Sequence, residues 1–362
     1  MKAVVLREVG RPSAVEELTL RAVGRHDVKV DLVASGVCHT DLSVRDGGMP
    51  ALLPCTLGHE GAGIVTEVGA DVSTVRPGDH VVLTWNVPCR RCLDCLRGDS
   101  HLCPRGLEHA FGEPYAFGAD GAVWPSMGAG TLAEQTLVPA DAVVAVNPSM
   151  PLDLAALLGC AVTTGVGAVM HTAAVRPGDS VLVIGCGGVG LAAIQGARLA
   201  GAARIIAADM VKGQLPAAIA NGATDVVDAS LDDLVTAVRE LTGGVGVDHG
   251  IEVVGKATTY RTAYDATRRG GTVTLVGAAG VDDSVTFPAL SLMADGKTMR
   301  GSVYGASDPV RDIPVLADLA LRGRLDLNAL VTRRIDLDDV ESAFTDMASG
   351  RGARRLVCFG SG

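Results

Sequence analysis

The run Ser180-Val181-Leu182-Val183-Ile184-Gly185-Cys186-Gly187-Gly188-Val189-Gly190 reads as a strand, a tight turn and the start of a helix that continues through Leu191-Ala192-Ala193-Ile194. Four apolar, mostly β-branched residues after Ser180 suit a strand buried on both faces, and the small residues after them suit a close-packed helix. Gly185 permits the turn, Gly187 lets backbone approach a pyrophosphate, and Gly190 lets helix and strand pack closely. Gly188 and Val189 open the helix, whose N-terminal amides face the phosphates. Asp209 ends a second apolar run, Ala203-Arg204-Ile205-Ile206-Ala207-Ala208, where an acidic side chain meets the adenosine ribose. Together they predict a dinucleotide-binding βαβ unit.

Outward from this unit the pattern alternates strand and helix. A third strand is expected near Thr224 to Val227, and a second half at Val247 to Val254, Gly271 to Gly277 and Thr298 to Tyr304, with a helix over Thr258 to Arg268. Six strands in two halves make a doubly wound sheet. Ahead of Pro177-Gly178-Asp179 the grammar differs. Short strands (Lys2 to Leu6, Asp27 to Ala34, Gly63 to Val68, Val75 to Leu83) with Pro-Gly turns indicate a β-rich, barrel-like unit. The tail, helical over Ile313 to Arg322 and Leu337 to Ser349 and extended over Arg355 to Phe359, is too short for a domain and is expected to return to the N-terminal unit. The fold class is therefore α/β, a doubly wound Rossmann domain inserted in a barrel-like catalytic domain.

Composition narrows the function. At 362 residues two domains are the default. Apolar residues make up 48% and charged residues 20%, which describes a well-filled globular chain. A net charge of −10 disfavours nucleic acid and anionic membrane as partners. No apolar run has the length of a membrane span, and charge at Lys2, Arg7 and Glu8 argues against a secretory signal, so a cytoplasmic enzyme is expected. The nine cysteines then read as ligands or buried thiols rather than a disulfide framework.

Four of them, Cys89, Cys92, Cys95 and Cys103, have the spacing C-x2-C-x2-C-x7-C. Four thiolates so spaced can close around one tetrahedral zinc and leave no place for water, which makes a structural site; an iron–sulfur cluster or four separate thiols are the alternatives. The loop around them is polar, and metal would supply the stability its core lacks. Cys38, His59 and Cys160 would form a Cys2His set with an open fourth position, but their separation in sequence does not establish the grouping.

The motifs Gly36-Val37-Cys38-His39-Thr40-Asp41, Gly58-His59-Glu60-Gly61-Ala62-Gly63, the four-cysteine lobe, Gly159-Cys160 with Thr163-Thr164-Gly165, and the glycine turn with Asp209 together resemble the zinc-dependent alcohol dehydrogenases of the medium-chain dehydrogenase/reductase superfamily, over nearly the whole chain. The resemblance implies a GroES-like catalytic domain over 1–163, with a structural zinc lobe at 86–105, an NAD-binding domain over 164–303, and a return to the catalytic domain over 304–362. It implies that Cys38, His59 and Cys160 ligate a catalytic zinc. Asp41 would accept the other ring N–H of His59, Glu60 would lie behind the zinc, and Thr40 would take the alcohol proton. Thr164 and Val276 would flank the nicotinamide, and His39 and Arg354 would lie near the pyrophosphate. Hydride would pass from the carbinol carbon to the nicotinamide, or the reverse for an aldehyde, and Asp209 would favour NAD over NADP.

Two departures shape the substrate expectation. Ser43 stands where many relatives end the proton relay with a histidine. Met49, Trp85, Leu132, Ala278 and Val303 fall at pocket-lining positions and make an apolar lining with an aromatic wall. That lining resembles aryl or allylic primary-alcohol dehydrogenases more than the glutathione-dependent formaldehyde branch. Some formaldehyde dehydrogenases acting on other thiol adducts share the Cys-His-Thr-Asp-Leu run, so a thiol-adduct-dependent formaldehyde dehydrogenase is the alternative. A non-catalytic, nucleotide-binding member is a third reading, disfavoured because all seven candidate zinc ligands are present. A small alcohol or aldehyde substrate and a homodimer paired through the nucleotide domains are expected.

Overall fold

The computed structural model describes residues 1–280, 282–350 and 354–360. The chain forms two compact units, Met1–Cys160 with Asp308–Gly362, and Ala161–Ser307.

The second unit is a six-stranded parallel sheet. Ser180–Ile184 and Val247–Glu252 lie at its centre, with Arg204–Asp209 and Asp225–Asp228 on one side and Thr267–Leu275 and Thr298–Gly301 on the other. This is the strand order of the doubly wound dinucleotide fold. Val181 to Ile184 are all buried, and Leu182 and Ile184 share a core with Ile206, Val238, Val247 and Val273. Gly185 holds φ 99°, a value side-chain-bearing residues avoid. A Cβ on Gly190 would lie 1.8 Å from the Gly185 carbonyl oxygen, so turn and helix Gly188–Ala200 close on each other only without one.

The strand expected from Gly271 begins instead at Thr267, directly out of helix Ala257–Ala266. Thr267 Oγ1 donates to the Ala263 carbonyl at 2.7 Å, ending the helix, while Thr267 pairs with Val247 ahead of a register shift. The last strand of this sheet stops at Gly301; Val303–Ala306 is a short irregular turn.

In the first unit, one six-stranded sheet contains Lys2–Leu6 and Cys55–Thr56. A seven-stranded sheet contains His80–Leu83, Glu60–Val68, Asp27–Val37 and Arg355–Cys358 in adjacent order. The tail returns as expected: Arg355–Cys358 runs antiparallel to Asp27–Val37, with Arg355 opposite Val37. The strand from Asp27 extends to Val37, past the expected end at Ala34, and so delivers Cys38 directly from its end. Of the Val75 to Leu83 stretch only His80–Leu83 is strand; Asp79 closes the preceding turn by accepting the Arg76 N–H at 3.0 Å. Among the described residues no single helix is long and apolar enough to cross a membrane.

Candidate functional site

The ligand atoms of Cys89, Cys92, Cys95 and Cys103 all lie within 4.8 Å of one another. Helix Leu93–Arg97 buries none of its residues, and Leu93 and Leu96 are 60% and 73% exposed, so no apolar core holds the lobe together. The Cys89 amide points at Cys103 Sγ, 3.3 Å away, and Cys92 Sγ lies 3.8 Å from it. The Arg91 amide leads in drawing the Cys89 thiol down to about 6. Burial, then the neighbouring thiols, push Cys95 up to about 12. Four sulfurs competing for negative charge in one small volume are the donor set of a tetrahedral zinc. Between the first two, Arg90 adopts φ 59° and pairs with both oxygens of Asp308. Asp308 is also the N-cap of helix Pro309–Leu321, so the lobe is tied to the point where the chain re-enters this unit.

The second group is buried. Cys38, at the end of its strand, is the N-cap of helix His39–Asp46. Asp41, fully buried, accepts from three donors: the Cys38 amide at 3.3 Å, the Gly58 amide at 3.0 Å and His59 Nδ1 at 3.0 Å. One carboxylate thus fixes both ligand-bearing segments and keeps a proton on Nδ1. His59 Nε2 is buried with no partner among the described residues. A Cβ on Gly159 would lie 2.5 Å from the Leu83 carbonyl oxygen, so glycine there lets Cys160 reach the cluster. The ligand atoms of Cys38, His59, Glu60 and Cys160 lie within 4.8 Å of one another.

A hydrogen bond from the Cys160 thiol leads in holding Cys38 well below the usual thiol range; burial opposes it, and the charges of His59 and Arg354 assist. Cys160 moves well above, first through that bond and then through burial. Burial opposes charge on His59, but the Asp41 carboxylate and the Cys38 thiolate outweigh it and raise the imidazole. Two sulfurs and an unpartnered imidazole nitrogen converging in a buried volume are a fitting Cys2His donor set for zinc.

Behind them burial pushes Glu60 up to about 8, against the opposing pull of Arg354. Arg354 Nη1 donates to Glu60 Oε1 and Oε2 at 3.0 and 3.1 Å and to the Val37 carbonyl at 3.1 Å. The resemblance put Arg354 near the pyrophosphate. The returning tail strand, with Arg355 opposite Val37, brings Arg354 to Glu60. Thr40 and Ser43, one turn apart on helix His39–Asp46, are half-buried, and His39 is exposed.

Met49 follows this helix, its amide donating to the Ser43 carbonyl at 3.1 Å. It borders a cavity of about 40 Å³ whose wall includes Leu52, Leu107, Phe111 and Met127. Ser126 is the one polar side chain on that wall, and no charged residue lines it. Leu132 is fully buried in the core that also holds Leu57 and Met49, and Trp85 is half-buried.

In the second unit a Cβ on Gly187 would meet nothing within 4 Å, so the turn leaves open space over the helix N-terminus. Asp209 accepts the amides of Cys186 and Val211, each at 2.7 Å, which sets its carboxylate beside the turn. Thr164 is 9% exposed and its hydroxyl has no partner among the described residues. Val276 is half-buried, Ala278 exposed and Val303 48% exposed. Three features escaped the sequence reading: the pairing of Arg354 with Glu60, the tie from Arg90 to Asp308, and Ser126. None has a local signal, because each depends on segments that meet only in the fold.

Residues 24–148 match the family model described as alcohol dehydrogenase GroES-like domain, and residues 188–321 match zinc-binding dehydrogenase. The chain is 36% identical over 367 residues to an S-(hydroxymethyl)glutathione dehydrogenase of Synechocystis, an alignment covering 98% of this chain and 99% of that one. It is similar to the benzyl alcohol dehydrogenase of Acinetobacter calcoaceticus, with a TM-score of 0.91, 32% identity and 99% of both chains covered. A zinc-binding dehydrogenase of Sinorhizobium meliloti bound to NADP matches with a TM-score of 0.85, 28% identity and 99% of both chains covered.

Proposed function

Because this chain belongs to the zinc-dependent medium-chain alcohol dehydrogenases, we propose that its substrate is a primary aryl or allylic alcohol, oxidised to the aldehyde with NAD. The observation that carries the substrate class is the cavity beside Met49, whose wall is apolar but for Ser126. An uncharged, mostly apolar wall favours an apolar substrate tail and offers nothing to the carboxylates of a peptide thiol.

Cys38, His59 through Nε2, and Cys160 hold the zinc in this reading. The metal supplies a Lewis acid that acidifies an alcohol hydroxyl, and the nicotinamide supplies a hydride acceptor. Asp41 keeps the proton on His59 Nδ1, so that Nε2 presents its lone pair. Glu60 and Arg354 pair behind the ligands. The alcohol proton moves to Thr40 Oγ1, and Ser43, one turn on, carries it outward in place of a histidine. Asp209 accepts the ribose hydroxyls and repels a 2′-phosphate, which favours NAD.

The extended match to a protein named S-(hydroxymethyl)glutathione dehydrogenase favours a second reading, oxidation of a formaldehyde–thiol adduct. One panel separates the two: NAD-linked turnover of benzyl, allylic, aliphatic and polyol alcohols, and of formaldehyde with and without thiols. We expect the highest kcat/KM for benzyl or allylic alcohols. Thiol-dependent formaldehyde oxidation with no turnover of simple alcohols would overturn the proposal.

A further inference from the structure

Ile184 and Glu252 end neighbouring strands of the parallel sheet and pair in register, so Glu252 lies beside the start of the glycine turn. It is fully buried, and no cation among the described residues offsets it. Its Oε1 accepts the amides of Val254 and Gly255, both at 2.9 Å, and the Thr259 hydroxyl at 2.6 Å. Oε2 has no partner among the described residues. Burial pushes the carboxyl above its usual range, against the pull of those three donors. Such a group is costly to bury, and what it holds accounts for its place. One oxygen ties the end of the strand to the residues after it and to the first turn of helix Ala257–Ala266.

Those residues wall the turn. Val253 and Val254 pack on it so closely that a Cβ on Gly185 would lie 3.0 and 2.8 Å from their Cγ2 atoms. Gly255 has φ 83°, and a Cβ there would lie 2.4 Å from the Ala278 carbonyl oxygen. The Glu252 carbonyl accepts the amides of Val276 and Gly277, at 2.8 and 3.1 Å. Side chain and main chain of one residue thus hold the loops that follow two adjacent strands, at the carboxyl ends where a doubly wound sheet binds its ligand. Asp209 is held separately, by the amides of Cys186 and Val211.

We propose that Glu252 is a positioning residue for the nicotinamide half of the cofactor. It touches no part of NAD; it sets residues 253–255 against the glycine turn and Val276 beside them, and so fixes the wall on which the pyrophosphate and the nicotinamide ribose rest. The proposal rests on the reading of the glycine turn and Val276 as that wall, and deepens it.

The test measures, by calorimetry on the full-length zinc-loaded protein, the dissociation constants of NADH and of AMP, which spans only the half of the cofactor that Asp209 meets. Glu252→Ala leaves two amides and a hydroxyl without their acceptor. NADH should bind it more weakly by about tenfold or more, and AMP within about twofold of the wild type, because no group at the adenosine end loses a partner. Glu252→Gln keeps an oxygen for the three donors and should restore NADH binding to within about threefold. Thr259→Val removes one donor at constant volume and carries the same test if Glu252→Ala does not fold: NADH should weaken by about threefold with AMP unchanged. Equal NADH affinity in the wild type and Glu252→Ala overturns the proposal. So does an equal fall for NADH and AMP, the mark of a merely structural role, or a Glu252→Gln as weak as Glu252→Ala. A wild type that binds neither nucleotide refutes the reading of the glycine turn, and the proposal with it; one that binds both while the variants disobey leaves that reading standing and removes the role of Glu252.

Discussion

Asp41→Asn is the sharpest test of how the zinc ligands are held. Asp41 accepts three N–H groups, from Cys38, Gly58 and His59, in a fully buried position. An amide has one oxygen to offer. Turned so that the oxygen faces Gly58 and His59, the Asn sets its own NH2 against the Cys38 amide. Turned the other way, it presents NH2 to His59 Nδ1 and drives the ring to the tautomer protonated on Nε2, which cannot bind metal. Either orientation leaves a buried donor opposed and loses the carboxylate's charge, a cost of about 2 kcal/mol. If that cost falls on the metal-bound state, zinc affinity drops roughly 30-fold, within the 10- to 100-fold typical of groups that orient a ligand. The assay is competition with a graded chelator, counting zinc per chain; the four-cysteine site acts as an internal reference because Asp41 does not touch it. The variant should lose one zinc at a chelator strength the wild type withstands and keep the other. Equal retention of both ions would refute the assignment of Asp41 as the group that orients His59.

Two further outcomes follow from the geometry. Cys92→Ser should remove one zinc per chain and lower the Tm by several degrees while leaving the zinc at Cys38, His59 and Cys160, because helix Leu93–Arg97 buries nothing of its own; metal analysis with calorimetry reads both. Burial holds His109 down to about 4, so between pH 6.5 and 4 the unfolded chain binds a proton that the folded chain refuses. Stability is then full above the unfolded pKa and falls with pH through that window by about 3 kcal/mol. His109→Leu should lose that part of the slope in urea unfolding, and identical slopes would contradict it.

What was legible in the sequence was local. Ser180 to Ala200 could be read because strand, turn and helix are contiguous and their glycines answer to one another within a few residues. Cys89 to Cys103 could be read because one loop supplies every ligand. The buried cluster could not be assembled from spacing: Cys38, His59 and Cys160 come from three separate segments, and family likeness grouped them before geometry did. The partner of Glu60 lies 294 residues away, so no window of sequence holds both residues. The early start of the strand at Thr267 escaped because one hydroxyl both ends a helix and begins a strand. Ser126 escaped because an orphaned hydroxyl is visible only once its surroundings are closed.

The tail strand has a consequence for biogenesis. Residues 161–307 are contiguous and can fold as they are synthesised, but Arg355–Cys358 fills a place in the first unit's sheet beside Asp27–Val37. At roughly 5–20 residues per second, the ribosome spends several more seconds on the segment between Ser307 and Arg355. During that interval the Ala34 to Val37 end of strand Asp27–Val37 shows an open edge, and Glu60 has no guanidinium to face. A chain stalled there would present an intact nucleotide fold joined to an unclosed metal-binding half. The pairing of Glu60 with Arg354 behind the metal ligands is therefore made late, as one of the last tertiary events in making the protein.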